Sequence, residues 1–397
     1  KTLKFKKSKF CPLPWNHLFF RANKDVFPCC ETNMVKTTFN ETIEKTANAK
    51  AFNDLRLEFL KDSDNLPPVC HRCEINEQAR KGSIREQSVR NFPELDFKKA
   101  KSMTNQDGSV KEFKLGRLDI RSSNLCNYKC RFCGIVSSNS WLKDYKALYP
   151  NLRDEYDPKT GIAEFNLPWE DLRKHLPHVK EVKLAGGEPV MMPGTYQLLE
   201  ELISIGNTDA KVSMITNASV LNYGKKNIID LLKQFSKISI NLSIDGIGPQ
   251  HEWLRSGKQD WAKVKNVINE YHKLSIQNNF YLTFHTGVSW MNMWHLEKMI
   301  NEFPKHNFIF NPVKGPDIYS PQHFYAKQVK KAQKHYKNLY AKTLDKKYRD
   351  LSNSLNLKHS QKDFDIKEFK RVTNILDTNR EQSFIKAFPE HAWILNG

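Results

Sequence analysis

Three cysteines about a third of the way along the chain stand in the run Cys126-Asn-Tyr-Lys-Cys130-Arg-Phe-Cys133, a C-x3-C-x2-C spacing. Three thiolates on one short loop can each hold one iron of a cubic 4Fe-4S cluster, and soft thiolates suit such clusters. The fourth iron then has no protein ligand, and a substrate or cofactor can chelate it. A zinc loop is the alternative, but zinc asks for four ligands, and no fourth cysteine lies close by in sequence. Five more cysteines precede this loop: Cys11, Cys29, Cys30, Cys70 and Cys73. Cys70-His-Arg-Cys73 has the two-residue spacing of a metal knuckle, and four of the five could hold a second cluster. A structural zinc knuckle is the competing reading, in which His17 or His71 could replace a thiol. All eight cysteines fall in the first third of the chain and the last 264 residues carry none. That clustering reads as metal ligation in a reducing compartment and not as a secreted disulfide framework.

A loop of this kind needs a scaffold, and residues 115 to 313 alternate between strand-like and helix-like patterns. Strands are predicted at Leu115 to Ile120, Val179 to Leu184, Lys211 to Thr216, Ile238 to Ile244, Phe280 to Val288 and Phe308 to Phe310. Helices are predicted at Ser140 to Leu148, Thr195 to Ile205, Lys226 to Phe235, Trp261 to Leu274 and Leu296 to Phe303. Such alternation argues for parallel strands joined by right-handed crossovers. About six units make an incomplete version of the barrel that eight would close, and sites on such barrels sit at the C-terminal strand ends. The residues there are the cysteine loop, then Gly186-Gly187-Glu188-Pro189, then Thr216 and Asn217. Ser243-Ile244-Asp245-Gly246 follows, with Arg255 shortly after it. Ser289 and Asn292 follow the fifth strand, and Asn311 lies by the sixth.

Before the barrel, His17 to Arg21 and Asp25 to Phe27 read as a hairpin around Asn23-Lys24. Ala51 to Lys61 has helical periodicity, and the polar run at 101–112 reads as a linker. After the barrel, Lys327 to Tyr348 reads as one amphipathic helix with a solvated lysine face. A basic face for an acidic substrate or nucleic acid is the sharper reading of the same lysines. The fold class is therefore α/β, with units at 1–112, 113–313 and 314–397.

The formal charge is +19, spread along the chain and richer at its two ends. It reads first as solvated surface and second as a docking surface for an acidic partner. Hydrophobic residues make up 39% of the chain, enough for a sizeable core. No apolar run approaches the roughly 20 residues of a membrane helix. The basic N-terminus has no apolar segment or cleavage site of a secretory signal, so a cytoplasmic protein is expected.

The cysteine loop resembles the signature of the radical S-adenosylmethionine (SAM) superfamily, C-x3-C-x-aromatic-C, with Phe132 at the aromatic position. The resemblance implies a partial (β/α)6 TIM-like barrel. It implies a 4Fe-4S cluster on Cys126, Cys130 and Cys133, with S-adenosylmethionine chelating the open iron. One electron then cleaves the cofactor to methionine and a 5′-deoxyadenosyl radical, which takes a hydrogen atom from the substrate. Gly186, Gly187, Glu188 and Pro189 match the family's GGEP motif, which holds the methionine amino group. Thr216, Asn217, Ser243 and Asp245 match polar positions that contact the ribose and carboxylate, and Arg255 could pair with the cofactor carboxylate.

Cys11-Pro-Leu-Pro-Trp15 through Val26-Phe-Pro-Cys29-Cys30 resembles the auxiliary-cluster modules called SPASM and, in shortened form, twitch. This implies a second, auxiliary 4Fe-4S cluster on Cys11, Cys29, Cys70 and Cys73, with Cys30 left over. Two departures stand out. The module precedes the barrel, and Lys24 occupies a position where the family pattern has glycine. The layout resembles twitch-domain radical SAM proteins over residues 10 to about 313, with a weaker likeness around Asp377, Arg380 and Pro389.

An enzyme of this class would draw electrons from a donor such as flavodoxin or ferredoxin and would act on a peptide, protein or other acidic substrate. The same chemistry on a nucleotide, sugar or tRNA is a second reading, although no RNA-binding motif is present. A non-catalytic zinc protein docking nucleic acid is a third, and it leaves the Gly186 to Pro189 motif without a purpose. Tyr128, Tyr196, Tyr223 and Trp290 lie near predicted strand ends, where packing explains them equally well.

Overall fold

A computed structural model describes residues 9–32, 34–61, 65–78, 82–149, 151, 156–256, 260–278, 280–360 and 364–396. Most of the basic N-terminal run, residues 1–8, lies outside them. The strands are β1 (His17–Arg21), β2 (Asp25–Phe27), β3 (Thr37–Thr38), β4 (Arg117–Arg121), β5 (Glu181–Leu184), β6 (Lys211–Thr216), β7 (Asn222–Tyr223), β8 (Lys226–Asn227), β9 (Ile238–Ser243), β10 (Tyr281–Val288) and β11 (Asn307–Pro312). β7 and β8 form a small separate hairpin, and the other nine form one sheet in the order β11-β10-β9-β6-β5-β4-β1-β2-β3.

From β4 to β11 every neighbouring pair is parallel. Helices run between them, including Leu142–Leu148, Pro193–Ser204, Ile228–Leu232, Trp261–Asn278 and Leu296–Glu302. The six predicted strands therefore form the expected open barrel sheet, with ends within a few residues of the sequence reading. Alternation explains it. In β6, Val212 and Met214 are buried against the helices, whereas Lys211, Ser213 and Ile215 are half-buried on the other face. β9 and β10 repeat the pattern. Removing each large aliphatic side chain from water contributes about 1.5–3 kcal/mol, so the period of two fixes which face meets the helices. The opposite face stays polar and open.

The N-terminal hairpin continues this sheet. β1 pairs β2 antiparallel and lies parallel to β4, in register from His17↔Arg117 to Arg21↔Arg121. Without β1, the strand that delivers the cysteine loop would be an edge with unpaired backbone groups. Residues 9–112 also have a core of their own, built from Phe10, Leu13, Trp15, Leu55, Phe59 and Val110 around Cys11 and Cys29. The buried Arg56 side chain in the helix Lys50–Lys61 donates to the carbonyls of Pro14, Ala47 and Gly108 and so ties this core together.

Two predicted elements differ. The segment 101–112 is packed and not a free linker: the helix Phe97–Met103 runs into it, and Gly108 lies so close that an added Cβ would meet the Asn53 carbonyl oxygen at 2.4 Å. The single helix predicted from Lys327 to Tyr348 is two, Ala326–Thr343 and Lys346–Ser354. Leu344 turns left-handed at φ 58°, and the Asp345 carboxylate caps the second helix by accepting from Lys347 N at 2.9 Å. Among the described residues no helix is long and apolar enough to cross a membrane.

Candidate active site

The cysteine loop leaves the C-terminal end of β4 and is held by side chains reaching across it. The buried Asn124 amide donates to the carbonyls of Ile135 (2.7 Å) and Gly161 (3.0 Å), and its oxygen accepts from Ala163 N. Asn139 Oδ1 accepts from Cys126 N, Ser140 Oγ donates to the Cys126 carbonyl, and Trp141 Nε1 donates to that of Cys130. Such bonds satisfy loop backbone groups that no ladder reaches. The loop also pairs with the segment around Arg255, through Arg131 N to the Leu254 carbonyl at 2.7 Å.

The Gly-Gly turn after β5 packs backbone to backbone on the start of this loop. Gly187 N donates to the Ser123 carbonyl and Glu188 N to that of Leu125. A Cβ on Gly187 would lie 2.1 Å from Leu125 O, and Gly186 has φ 119°, so neither position takes a side chain without moving the loop. Glu188 is fully buried. Its carboxylate accepts from Thr216 Oγ1 (2.7 Å), Asn217 N (2.7 Å) and Val190 N (3.1 Å), locking the ends of β5 and β6 together. Burial still outweighs these donors and pushes its carboxyl up to about 7.

One cleft of about 650 Å³ gathers Cys126, Cys130, Cys133, Gly186, Gly187, Thr216, Asn217, Ser243 and Arg255. Two nitrogen donors face the sulfurs: Asn217 Nδ2 lies 3.7 Å from Cys126 Sγ, and Arg255 Nη1 lies 3.6 Å from Cys130 Sγ. Burial pushes the Cys126 thiol up to about 12. A hydrogen bond from Cys133 draws the Cys130 thiol down to about 7, and the Arg255 guanidinium helps. Among the described residues no three His, Cys, Asp or Glu side chains close on a single ion. A cubic cluster does not require that, because each thiolate takes a different iron. Three thiols with N–H donors aimed at them, on a polar cleft wall, fit a thiolate-ligated cluster with one open iron.

Most of the remaining predicted residues stand behind the wall. Asp245 is buried; its carboxylate accepts from Gly287 N at 2.6 Å and pairs with Arg255 Nε at 2.7 Å, so it aims Arg255. Phe132 is half-buried, edge-on to Tyr319 at 5.8 Å and wedged beneath Gly287. Ser289 and Asn292 are buried in a turn that ties β10 to the Asp245 carbonyl, and Asn311 lies out on β11. Tyr128 lines the cleft, Tyr196 donates to the Val190 carbonyl, and Trp290 stacks on Phe324 in the core.

Residues 120–303 match the family model described as the Radical SAM superfamily. These residues therefore carry a radical SAM domain. The chain is 24% identical over 160 residues to the sporulation killing factor maturation protein SkfB of Bacillus subtilis (strain 168), which is 40% of this chain and 33% of that one. It is 29% identical over 138 residues to the GTP 3′,8-cyclase of Staphylococcus epidermidis, covering 34% of this chain and 36% of that one. The chain thus spans about a third of the length of these curated relatives. Among solved structures, anSMEcpe with bound AdoMet and Cp18Cys peptide aligns at a TM-score of 0.38 and 20% identity, over 58% of this chain and 61% of that one.

Outside the radical SAM domain, Cys11, Cys29, Cys70 and Cys73 line one small cavity of about 20 Å³, with Leu55, Phe59 and Arg85 around them. These are the four cysteines chosen from the sequence, and Cys30 is absent from the cavity wall. Burial pushes the Cys11 thiol up to about 12. A set of four soft donors around one apolar cavity suits a thiolate-ligated metal centre, and metal binding would displace the thiol protons. At about 20 Å³ the cavity is smaller than a cubic cluster, so the four side chains would have to move apart to hold one. His17 sits elsewhere, with Nδ1 at 3.0 Å from the Pro28 carbonyl, and His71 is exposed.

Sequence reasoning missed the clamp behind the cysteine loop. Arg131 is fully buried, stacked 3.9 Å from the Trp253 ring, and donates to Asp377 and Gln382. Arg380 donates to the Lys129 carbonyl (2.7 Å) and pairs with the buried Asp144 at 2.9 Å. Asp377 and Arg380 lie in the helix Ile366–Arg380, so the C-terminal extension holds the cluster loop from outside.

Proposed function

We propose that this chain reductively cleaves S-adenosylmethionine and abstracts a hydrogen atom from a peptide or protein side chain. The observation that carries the reading is the single cleft joining Cys126, Cys130 and Cys133 to the Gly186–Gly187 turn, Thr216, Asn217, Ser243 and Arg255. When bound, the cluster and cofactor supply a 5′-deoxyadenosyl radical. The chain's own residues prepare the place for it. The three thiols hold the irons. Asn217 and Arg255 set N–H donors against two of the sulfurs. Arg255, aimed by Asp245, is the cation for a carboxylate in the cleft. The narrow Gly-Gly turn leaves backbone groups free to approach an ammonium, with the Glu188 carboxylate buried behind it.

Cys11, Cys29, Cys70 and Cys73 hold an auxiliary 4Fe-4S cluster in a twitch-like module spanning 1–112. With four thiolates and no open iron it would pass electrons and not bind substrate. A reducing, cytoplasmic setting suits eight unpaired thiols, and a flavodoxin or ferredoxin would supply the electron. The name of the relative SkfB, a maturation protein for a killing factor, supports a peptide or protein substrate. The GTP 3′,8-cyclase relative supports a second reading, the same chemistry on a nucleotide.

The test is anaerobic reconstitution followed by iron counting. About eight irons per chain are expected, falling to about four in Cys70→Ser or Cys11→Ser and staying at about eight in Cys30→Ser. Zinc in place of iron after reconstitution would sink the reading.

A further inference from the structure

β1 and β4 place two arginines side by side at one end of the cleft. Arg21 and Arg121 are Cα partners in the parallel ladder, and both line the cavity that contains the three cysteines of the cluster loop. Both guanidinium groups are laid on aromatic rings. Arg121 lies 4.5 Å and Arg21 5.2 Å from the centroid of Phe19, and Arg21 lies 4.4 Å from that of Phe27. Stacking of this kind holds a planar cation while leaving its edge free to donate.

Of the carboxylates nearby, Asp119 pairs with Arg121, and among the described residues none pairs with Arg21. Asp119, buried beneath, is shared by Arg121 (3.3 Å) and Lys183 (3.8 Å). Asp25 is taken by Lys36 at 2.7 Å, and Glu31 is taken by Arg72 at 2.8 Å. Among the described residues Arg21 has no ion-pair or hydrogen-bond partner for its guanidinium. Three cations, Arg21, Arg121 and Lys183, thus face one committed carboxylate. Burial and the Arg121 charge together pull the Arg21 guanidinium down, so an anion placed between the two arginines relieves a repulsion already built into the fold. A chain that only needed β1 to cover the edge of β4 would have no reason to set two arginines in register there.

We propose that Arg21 and Arg121 form a seat for an oxyanion of the substrate, a carboxylate or a phosphate, at the end of the radical cleft. The free Arg21 fork, beside the edge of Arg121 that its pairing with Asp119 through Nε and Nη2 leaves open, suits the two or three oxygens of such a group. The seat would fix the substrate's charged end and leave a neutral part near the cluster loop. This rests on the cleft being the substrate site, but its test does not need turnover.

The test is a calorimetric titration of the anaerobically reconstituted protein with inorganic phosphate and, separately, with N-acetylglutamate. Saturable one-to-one binding is expected. It should weaken about 10- to 100-fold in Arg21→Gln, as loss of one charge-assisted contact implies, and less in Arg21→Lys. Arg173→Gln, whose guanidinium pairs with Glu201 on the outer surface, should bind as the parent does. The tighter probe names the source, a peptide carboxylate or a nucleotide phosphate. Arg21 is the deciding position because Arg121→Gln also strips Asp119 of a partner, and an unchanged thermal midpoint will show that Arg21→Gln folds. No saturable binding, or equal binding by the parent and Arg21→Gln, overturns the proposal. Arg21-dependent binding in a protein that forms no 5′-deoxyadenosine would leave the seat standing while the proposed radical chemistry fell.

Discussion

Arg131, the residue after the second cysteine of the cluster loop, donates to the carboxylate of Asp377, 246 residues further along the chain, at 2.5 Å. Trp253 Nε1 donates to the same oxygen at 2.9 Å, and Asp377 Oδ2 accepts from Phe384 N. Arg131 is wholly buried, so without Asp377 its charge stays desolvated with only the neutral Gln382 and Trp253 oxygens as partners, and without Arg131 the Asp377 carboxylate loses its cationic partner. Asp377→Ala or Arg131→Ala should therefore cost about 3 kcal/mol. Denaturant unfolding of the metal-free protein measures it, and iron should leave both variants faster than the parent. An unchanged unfolding midpoint would show that the C-terminal helix does not brace the loop.

Glu188 should make the metal-free protein less stable as the pH rises. Its folded value of about 7 lies above the ordinary 4.5 because burial disfavours the charged form. The contribution is fully present below about 4.5 and is lost as the pH passes through about 7, a change of about 3 kcal/mol. Carboxyl carbon NMR of the metal-free protein reads it directly. A Glu188 midpoint in the ordinary carboxylate range would mean that the donors from Thr216, Asn217 and Val190 outweigh burial.

Gly187→Ala tests the backbone contact between the Gly-Gly turn and the cysteine loop. The new methyl would meet Leu125 O at 2.1 Å, so one segment must move. A loss of about 2–3 kcal/mol is expected, together with a fall in iron retained at the cluster loop. Full stability and full iron loading in this variant would show the turn to be compliant.

Lys24→Gly should stabilise the protein. Lys24 turns the β1–β2 hairpin at φ 66°, a conformation costing a residue with a Cβ about 1–2 kcal/mol. Glycine removes that cost and adds about 0.5–1 kcal/mol of unfolded-state entropy, leaving a net gain of about 0.5–1 kcal/mol. A thermal midpoint raised by a degree or more is the expected outcome, and a lowered one contradicts it.

Much of this site was legible because it is local. Cys126, Cys130 and Cys133 declare themselves by spacing, and the strands β6, β9 and β10 by alternation of period two. The strand-end rule then led to Gly187, Thr216, Asn217 and Ser243, all of which line the cleft. Cys11, Cys29, Cys70 and Cys73 come from distant segments and are grouped through the resemblance to twitch modules; the structure brings the four to one cavity. What stayed hidden depends on pairing between remote segments. Nothing in His17 to Arg21 says that its partner is β4, so the Arg21–Arg121 pair was invisible. Arg131 sits inside the cysteine motif, but its partner Asp377 is fixed only once the C-terminal helix packs across Trp253. The helix break at Leu344 escaped because leucine and lysine favour helix on both sides, and only the Asp345 cap marks the restart.

The most direct measurement of the central claim is 5′-deoxyadenosine formed by the anaerobically reconstituted protein, given reductant and S-adenosylmethionine. The account expects 5′-deoxyadenosine and methionine from the parent and from Cys30→Ser, and neither from Cys126→Ala, Cys130→Ala or Cys133→Ala. No 5′-deoxyadenosine from a parent protein carrying its full iron, or undiminished formation in those three variants, would contradict it.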